Sequence, residues 1–230
     1  MSRSALLSSS IAKKYWMALT GLFLCLFLAG HLAGNLQLFM MGEDGQLQFN
    51  EYALFMTTNP AVKILSYVTY FSILFHAVDG ILLTLQNRKA RPVQYAYNRP
   101  QVNSSWASRN MAVLGTLLLV FIATHMQNFW WKMHYGDMPM QGDMKDLHTV
   151  VLAFFNPNMN DMAIIAVAFY AFSMVALAFH LAHGFQSAFQ SLGARHPKYL
   201  PLIKNAGLGF SILVPAAFAA IPIYLYIMQA

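Results

Sequence analysis

The chain has 230 residues, of which 58% are hydrophobic and only 10% charged. A soluble domain carries about 25% charged residues, so an ordinary water-soluble enzyme is excluded. One cysteine, Cys25, excludes an intrachain disulfide and a cysteine-ligated iron–sulfur cluster, and the net charge is +6.

The charges cluster in short blocks that leave five apolar stretches. These predict helices over 15–39, 61–87, 108–131, 161–191 and 205–228. A membrane span needs about 20 residues at 1.5 Å rise each, and all five qualify. The fourth is long enough to tilt or project, and Pro215 and Pro222 should kink the fifth. The expected fold class is an all-α membrane protein, with five transmembrane helices in one bundle forming a single domain over 1–230. The first stretch has a basic lead but is longer than a signal-peptide core, and no small-x-small site follows it, so it is read as a true span.

With five spans, the N-terminus and the second and fourth loops share a side. That side carries Arg3, Lys13, Lys14, Arg88, Lys89, Arg91, Arg99, Arg109, Arg195, Lys198 and Lys204. The other carries only Lys63, Lys132 and Lys145, with Glu43, Asp44, Glu51, Asp137, Asp143, Asp146 and Asp161 on it or at its border. The positive-inside rule then puts the N-terminus in the cytoplasm. Trp16 and Trp106 mark the inner interface, and Trp130 and Trp131 the outer one. The basic inner surface reads as topology and lipid contact, or as a docking face for a soluble partner.

The first four spans each carry a histidine, His31, His76, His125 and His180, where an ionisable side chain is costly and marks function. Counted along their helices, His31 and His125 lie about 24 and 25 Å above the inner end. His76 and His180 lie about 18 and 19 Å above it. Matched heights on four successive helices pair His31 with His125 and His76 with His180. His134, His148 and His196 fall in polar regions and are read as solvated. His183 competes with His180 on nearly the same face but sits a turn below the height of His76.

Two-histidine pairs do not make a zinc site. There is no C-x-x-C-H motif, so a haem would not be held covalently. Cys25 packs, and the fifteen methionines, Met126 and Met174 among them, also read as packing. Two b haems, each iron held by two imidazoles, fit best, with His31 and His125 on one iron and His76 and His180 on the other. Six-coordinate iron favours electron transfer over oxygen chemistry. Gly30, Gly34, Gly80, Ala178, Ala182 and Gly184 flank the ligands and allow close approach of a flat macrocycle or a neighbouring helix.

The run Ser8-Ser9-Ser10-Ile11-Ala12-Lys13-Lys14, followed by Met17-Ala18-Leu19-Thr20-Gly21-Leu22 and His31-Leu32-Ala33-Gly34-Asn35-Leu36, resembles a known family. It looks like the start of the cytochrome b membrane-anchor subunit of succinate:quinone oxidoreductases, of the single-chain di-haem type used by succinate dehydrogenases and fumarate reductases. His76 with Asp79-Gly80-Ile81, Asn87-Arg88-Lys89-Ala90-Arg91-Pro92, and His180-Leu181-Ala182-His183-Gly184-Phe185-Gln186-Ser187 fit the same family. The resemblance covers essentially the whole chain. It implies a distal haem on the first and third helices, a proximal haem on the second and fourth, and His180 rather than His183 as ligand.

The resemblance also implies a multi-pass protein of a bacterial cytoplasmic membrane, docking an iron–sulfur subunit and a flavoprotein subunit on its cytoplasmic face. Electrons would pass between succinate/fumarate chemistry, part of the tricarboxylic acid cycle, and a membrane quinone, expected to be menaquinone. The chain itself would have no dicarboxylate site. Quinone turnover needs proton donors. Glu51 is the candidate acid, or else a solvated loop carboxylate. Some relatives carry a glutamate two residues before the helix-four ligand, where this chain has Ala178. Asp79, three residues after His76, relays protons, orients a ligand or pairs with a basic residue such as Arg88. The alternatives are the di-haem anchor of another quinone-linked oxidoreductase, or a haem-free transporter or scaffold.

Overall fold

The computed structural model describes residues 9–90, 99–194 and 196–230. Arg3, Arg91 and Arg195, counted above in the basic surface, lie outside the described residues, as do Ser8 and Pro92. The chain is an all-α, multi-pass membrane protein with five helices long and apolar enough to cross a membrane: Ile11–Phe39, Pro60–Lys89, Met111–Tyr135, Ala163–Ser191 and Leu200–Gln229.

The first span is α1 (Ser10–Asn35), capped by the Ser9 hydroxyl accepting from Ile11 N and Ala12 N, and it tightens into a 3-10 turn at Leu36–Phe39. A helix that the sequence reading missed, α2 (Gly42–Thr58), follows. Glu43 and Asp44 in its first turn suit the positive end of the helix dipole. Gly45, Phe49, Asn50 and Ala53 form its buried face, an amphipathic stripe. The second span, α3 (Pro60–Lys89), starts at an Asn59 cap with Pro60 in the first turn, where a missing N–H costs nothing.

Two short helices, α4 (Pro100–Asn103) and α5 (Trp106–Arg109), precede α6 (Met111–His125). Immediately after His125 the third span changes to a π-helical segment, Met126–Trp131, and ends as α7 (Lys132–Tyr135). A small hairpin, β1 (Met140–Gln141) and β2 (Met144–Lys145), leads to α8 (Leu147–Phe155). The fourth span, α9 (Ala163–Ser191), stops at Leu192, and Gly193 takes the left-handed conformation (φ 85°) common just past a helix end. The fifth, α10 (Leu200–Gln229), runs through Pro215 and Pro222, both buried.

Four spans form a ring in which α1 packs on α3, α3 on α6, α6 on α9, and α9 on α1. The diagonals, α1 with α6 and α3 with α9, do not pack closely, so the centre of the ring is open to side chains. The fifth span, α10, lies outside the ring against α9 and α1. At the end opposite the N-terminus, α2, the hairpin and α8 form a cap. There Leu38, Phe49, Val151, Phe155, Ile221 and Leu225 make one buried apolar cluster. Ile64, Leu74, Leu213 and Ile227 are strongly exposed on the spans, as lipid-facing residues must be.

Candidate functional site

The diagonal helices carry five intramembrane histidines, and the structure brings four of them, His31, His76, His125 and His180, together in two pairs. The ring centroids of His31 (α1) and His125 (α6) are 5.9 Å apart, with planes at 84°. Those of His76 (α3) and His180 (α9) are 6.0 Å apart, at 62°. His76 faces His180 rather than His183, which borders the same cavity.

Three helices give the separation between the pairs independently. On α1, Thr20 touches His76, and His31 is eleven residues on, about 16 Å at helical rise. On α6, Gly115 faces His180, and His125 is ten residues on, about 15 Å. On α9, Tyr170 lies beside His125 and His180 is ten residues on, again about 15 Å. The His76–His180 pair is therefore nearer the N-terminal end and the His31–His125 pair nearer the cap. These are called the near and far pairs below.

A cavity of about 2450 Å³ runs the length of the ring, from Lys14 and Arg88 at one end to Lys63 and Lys145 at the other, and all four histidines border it. A site for one small molecule is about 300–1,000 Å³, so this space exceeds one such ligand. Glycines shape it at the ligands. A Cβ on Gly21 would stand 3.2 Å from His76 Cε1, and one on Gly115 would stand 4.0 Å from His180 Cε1. A Cβ on Gly184 would meet nothing within 4 Å.

The donor set fits a haem iron held by two imidazoles. An imidazole nitrogen binds a metal at about 2.0 Å and lies about 1.1 Å from its ring centre, so two rings sharing one metal would have centroids no more than about 6 Å apart. Both pairs have that spacing. Among the described residues no cluster of three or more His, Cys, Asp or Glu forms. The rings are also held from behind, as ligating imidazoles require. His76 Nδ1 is 3.2 Å from Thr20 Oγ1, and His125 Nδ1 is 3.4 Å from Tyr170 Oη. His31 Nδ1 is 3.4 Å from Asn35 Nδ2, which donates to the His31 carbonyl at 2.8 Å. The buried Nδ1 of His180 has no partner. Phe27, Phe218, Phe121 and Phe129 close around the far pair at 5.3–5.6 Å.

Other sequence expectations fare differently. Glu51 is on α2, not in a loop; it is exposed and does not border the cavity. Its neighbour Tyr52 does border it, with its ring seated on Gly34, where an added Cβ would be 2.5 Å from Cε1. Asp79 is half-buried off the cavity, and the cation acting on it is Lys13 of α1 rather than Arg88. His134 is exposed and stacks on Trp130 at 4.5 Å; His196 is exposed.

His148 was expected in solvent and is instead 3% exposed, beneath Phe49. It belongs to a polar knot that ties the cap together. Asn50, 0% exposed, donates to Gln141 Oε1 and Asp146 Oδ1, both at 2.8 Å, and accepts from His148 N at 3.0 Å. Asp146, 4% exposed, also accepts from Gln46 at 2.6 Å and caps α8 through Thr149 N at 3.0 Å. Burial pushes the Asp146 carboxyl up, but the bonds from Thr149, Asn50 and Gln46 outweigh it and hold it below its ordinary value. Burial holds the His148 imidazole below its usual range, against the opposing pull of Asp146. An Asp before Leu-His-Thr is a capping signal visible in the sequence, but its partners on α2 are about a hundred residues away and are not.

The chain matches no protein-family model, and no curated protein or solved structure matches it either.

Proposed function

We propose that this chain is a di-haem cytochrome b membrane anchor that carries electrons between a docked iron–sulfur subunit and a membrane quinone in a succinate:quinone oxidoreductase. The observation that carries the haem reading is the pair of facing imidazoles on each diagonal of the ring, 5.9 and 6.0 Å apart in one continuous cavity. The succinate:quinone assignment rests on the sequence resemblance around His31, His76 and His180.

On this reading His31 and His125 hold one haem iron, and His76 and His180 the other. Haem supplies one-electron redox chemistry when bound, and saturation by two imidazoles restricts it to outer-sphere transfer. The chain's own residues orient the ligands, through Thr20, Tyr170 and Asn35, and pack the far centre in aromatic side chains. Burial and these second-shell hydrogen bonds are the levers that set each potential. The described basic residues Arg88, Lys89, Arg99, Arg109, Lys198 and Lys204 would lie on the cytoplasmic side and dock the soluble subunits, which would make the near pair the first to meet an incoming electron. The quinone, menaquinone by resemblance, would bind beside the far pair. Tyr52, which borders the cavity there, is a better-placed hydroxyl donor than the exposed Glu51.

The test is a reduced-minus-oxidised spectrum and a pyridine haemochrome assay of the purified chain. Two b haems per chain are expected, together with co-purification of a flavoprotein and an iron–sulfur protein from the native membrane. A chain without haem overturns the reading. A di-haem chain that brings down a different dehydrogenase overturns the succinate assignment alone.

A further inference from the structure

Thr20 places a hydroxyl in the middle of an apolar run of α1, and it is 8% exposed. A hydroxyl has one proton to donate and two lone pairs to accept with. The proton is committed: Thr20 Oγ1 is 2.7 Å from the Trp16 carbonyl oxygen and 3.3 Å from that of Met17, and carbonyls only accept. Toward His76 Nδ1, at 3.2 Å, Oγ1 therefore offers a lone pair. The proton in that contact has to come from the imidazole. A neutral imidazole protonated at Nδ1 has a bare Nε2 lone pair, the form that binds a metal.

Geometry keeps the ring where this bond holds it. His76 Cε1 lies so close to α1 that a Cβ on Gly21 would be 3.2 Å away, and the opposite face of the site is His180. No other intramembrane ligand is tied so closely. The contacts at His31 and His125 are 3.4 Å, and His180 Nδ1 has no partner.

We infer that Thr20 is a positioning residue for the near pair: its hydroxyl holds His76 as the Nδ1–H tautomer, aims Nε2 at the centre shared with His180, and through that bond lowers the centre's reduction potential. The direction follows from the donor. A hydrogen bond from Nδ1–H to an acceptor makes the imidazole more basic, and a more basic ligand favours oxidised iron. The potential part rests on the di-haem reading; the tautomer part does not.

The experiment uses the full chain as Thr20→Val, which keeps the shape and loses the hydroxyl, and Thr20→Ser, which keeps the hydroxyl. ¹⁵N-histidine NMR of the dithionite-reduced protein reads the tautomer whether or not haem is bound, because reduced low-spin iron is diamagnetic. A hydrogen-bonded Nδ1–H resonance of His76, assigned by its loss in His76→Ala, is expected in the wild type and Thr20→Ser, and should move upfield in Thr20→Val. Redox titration should show one haem component, the one lost in His180→Ala, shifted to higher potential in Thr20→Val and returned in Thr20→Ser, with the other unmoved. An unchanged His76 resonance in Thr20→Val, a potential shift confined to the far haem, or failure of Thr20→Ser to restore the wild-type behaviour would overturn the inference. A wild-type chain with no haem overturns the proposed function instead, and the NMR comparison still decides the role of Thr20.

Discussion

Replacing Asn50 with alanine should unlock the cap without disturbing the histidine ring. The side chain is fully buried and makes three hydrogen bonds, to Gln141, Asp146 and the His148 backbone N–H. Deleting it leaves the His148 N–H unpaired in a buried position, about 1–3 kcal/mol, and removes one charge-assisted bond from Asp146, about 1.5–3 kcal/mol. Gln141 is half-buried and can turn to water, and Asp146 keeps Gln46 and Thr149, so the losses are not fully additive. A net cost of about 3 kcal/mol raises the open population of the cap roughly 100-fold. Hydrogen exchange of the detergent-solubilised protein reads this directly. Amides of α2 and the first turn of α8 should exchange roughly 100-fold faster, while those at the centre of α9 keep their wild-type protection. Exchange of α2 and α8 within about threefold of wild type would show that the knot does not hold the cap. Equal acceleration in α9 would show that the cap is not a separate unit.

Acidification should loosen the same cap in two steps. His148 is held below its usual 6.5, so the open cap takes up a proton first as pH falls. Its contribution is complete above 6.5 and declines below it, down to the lowered folded value. Asp146 is held below 3.8, so its contribution is complete above that and is lost as pH falls through its still lower folded value. In hydrogen exchange against pH, His148→Gln should remove the upper step only; persistence of both steps would refute the assignment. At the ligands, His31→Ala or His125→Ala should abolish one spectral component, and His76→Ala or His180→Ala the other, while His183→Ala keeps both. Loss of the same component from His31→Ala and His76→Ala would break the pairing. If the proposed soluble subunits dock on the basic face, reversing the charge of Arg88, Arg91 and Arg99 together should weaken their association and make it more salt-sensitive, as gel filtration at two ionic strengths would read. Salt-insensitive retention would place docking elsewhere.

The five spans were legible from the sequence because a span needs length and apolar composition, and neither depends on what it packs against. The pairing of His31 with His125 and of His76 with His180 was legible for a similar reason, a fixed rise per residue along helices that reverse at each loop, but the separation between the pairs was not: heights counted from each helix's own predicted end put them about 6 Å apart, whereas the helix contacts put them about 15 Å apart. Height says nothing about which helices face one another. Only the packed ring places α1 opposite α6 and α3 opposite α9, so that each pair meets across an open centre rather than along a shared seam. The same limit hid the cap. The stripe of Gly45, Phe49, Asn50 and Ala53 is helical in the sequence, but Asn50 is buried because Gln141, Asp146 and His148 arrive from about a hundred residues away. His148 reads as solvated in a polar stretch, and it is the fold of α8 onto α2 that removes it from water. Thr20 is an ordinary hydroxyl in the sequence, and becomes specific only where α3 brings His76 against it. Composition and helical rise act along the chain, and partners of buried polar groups are supplied across it.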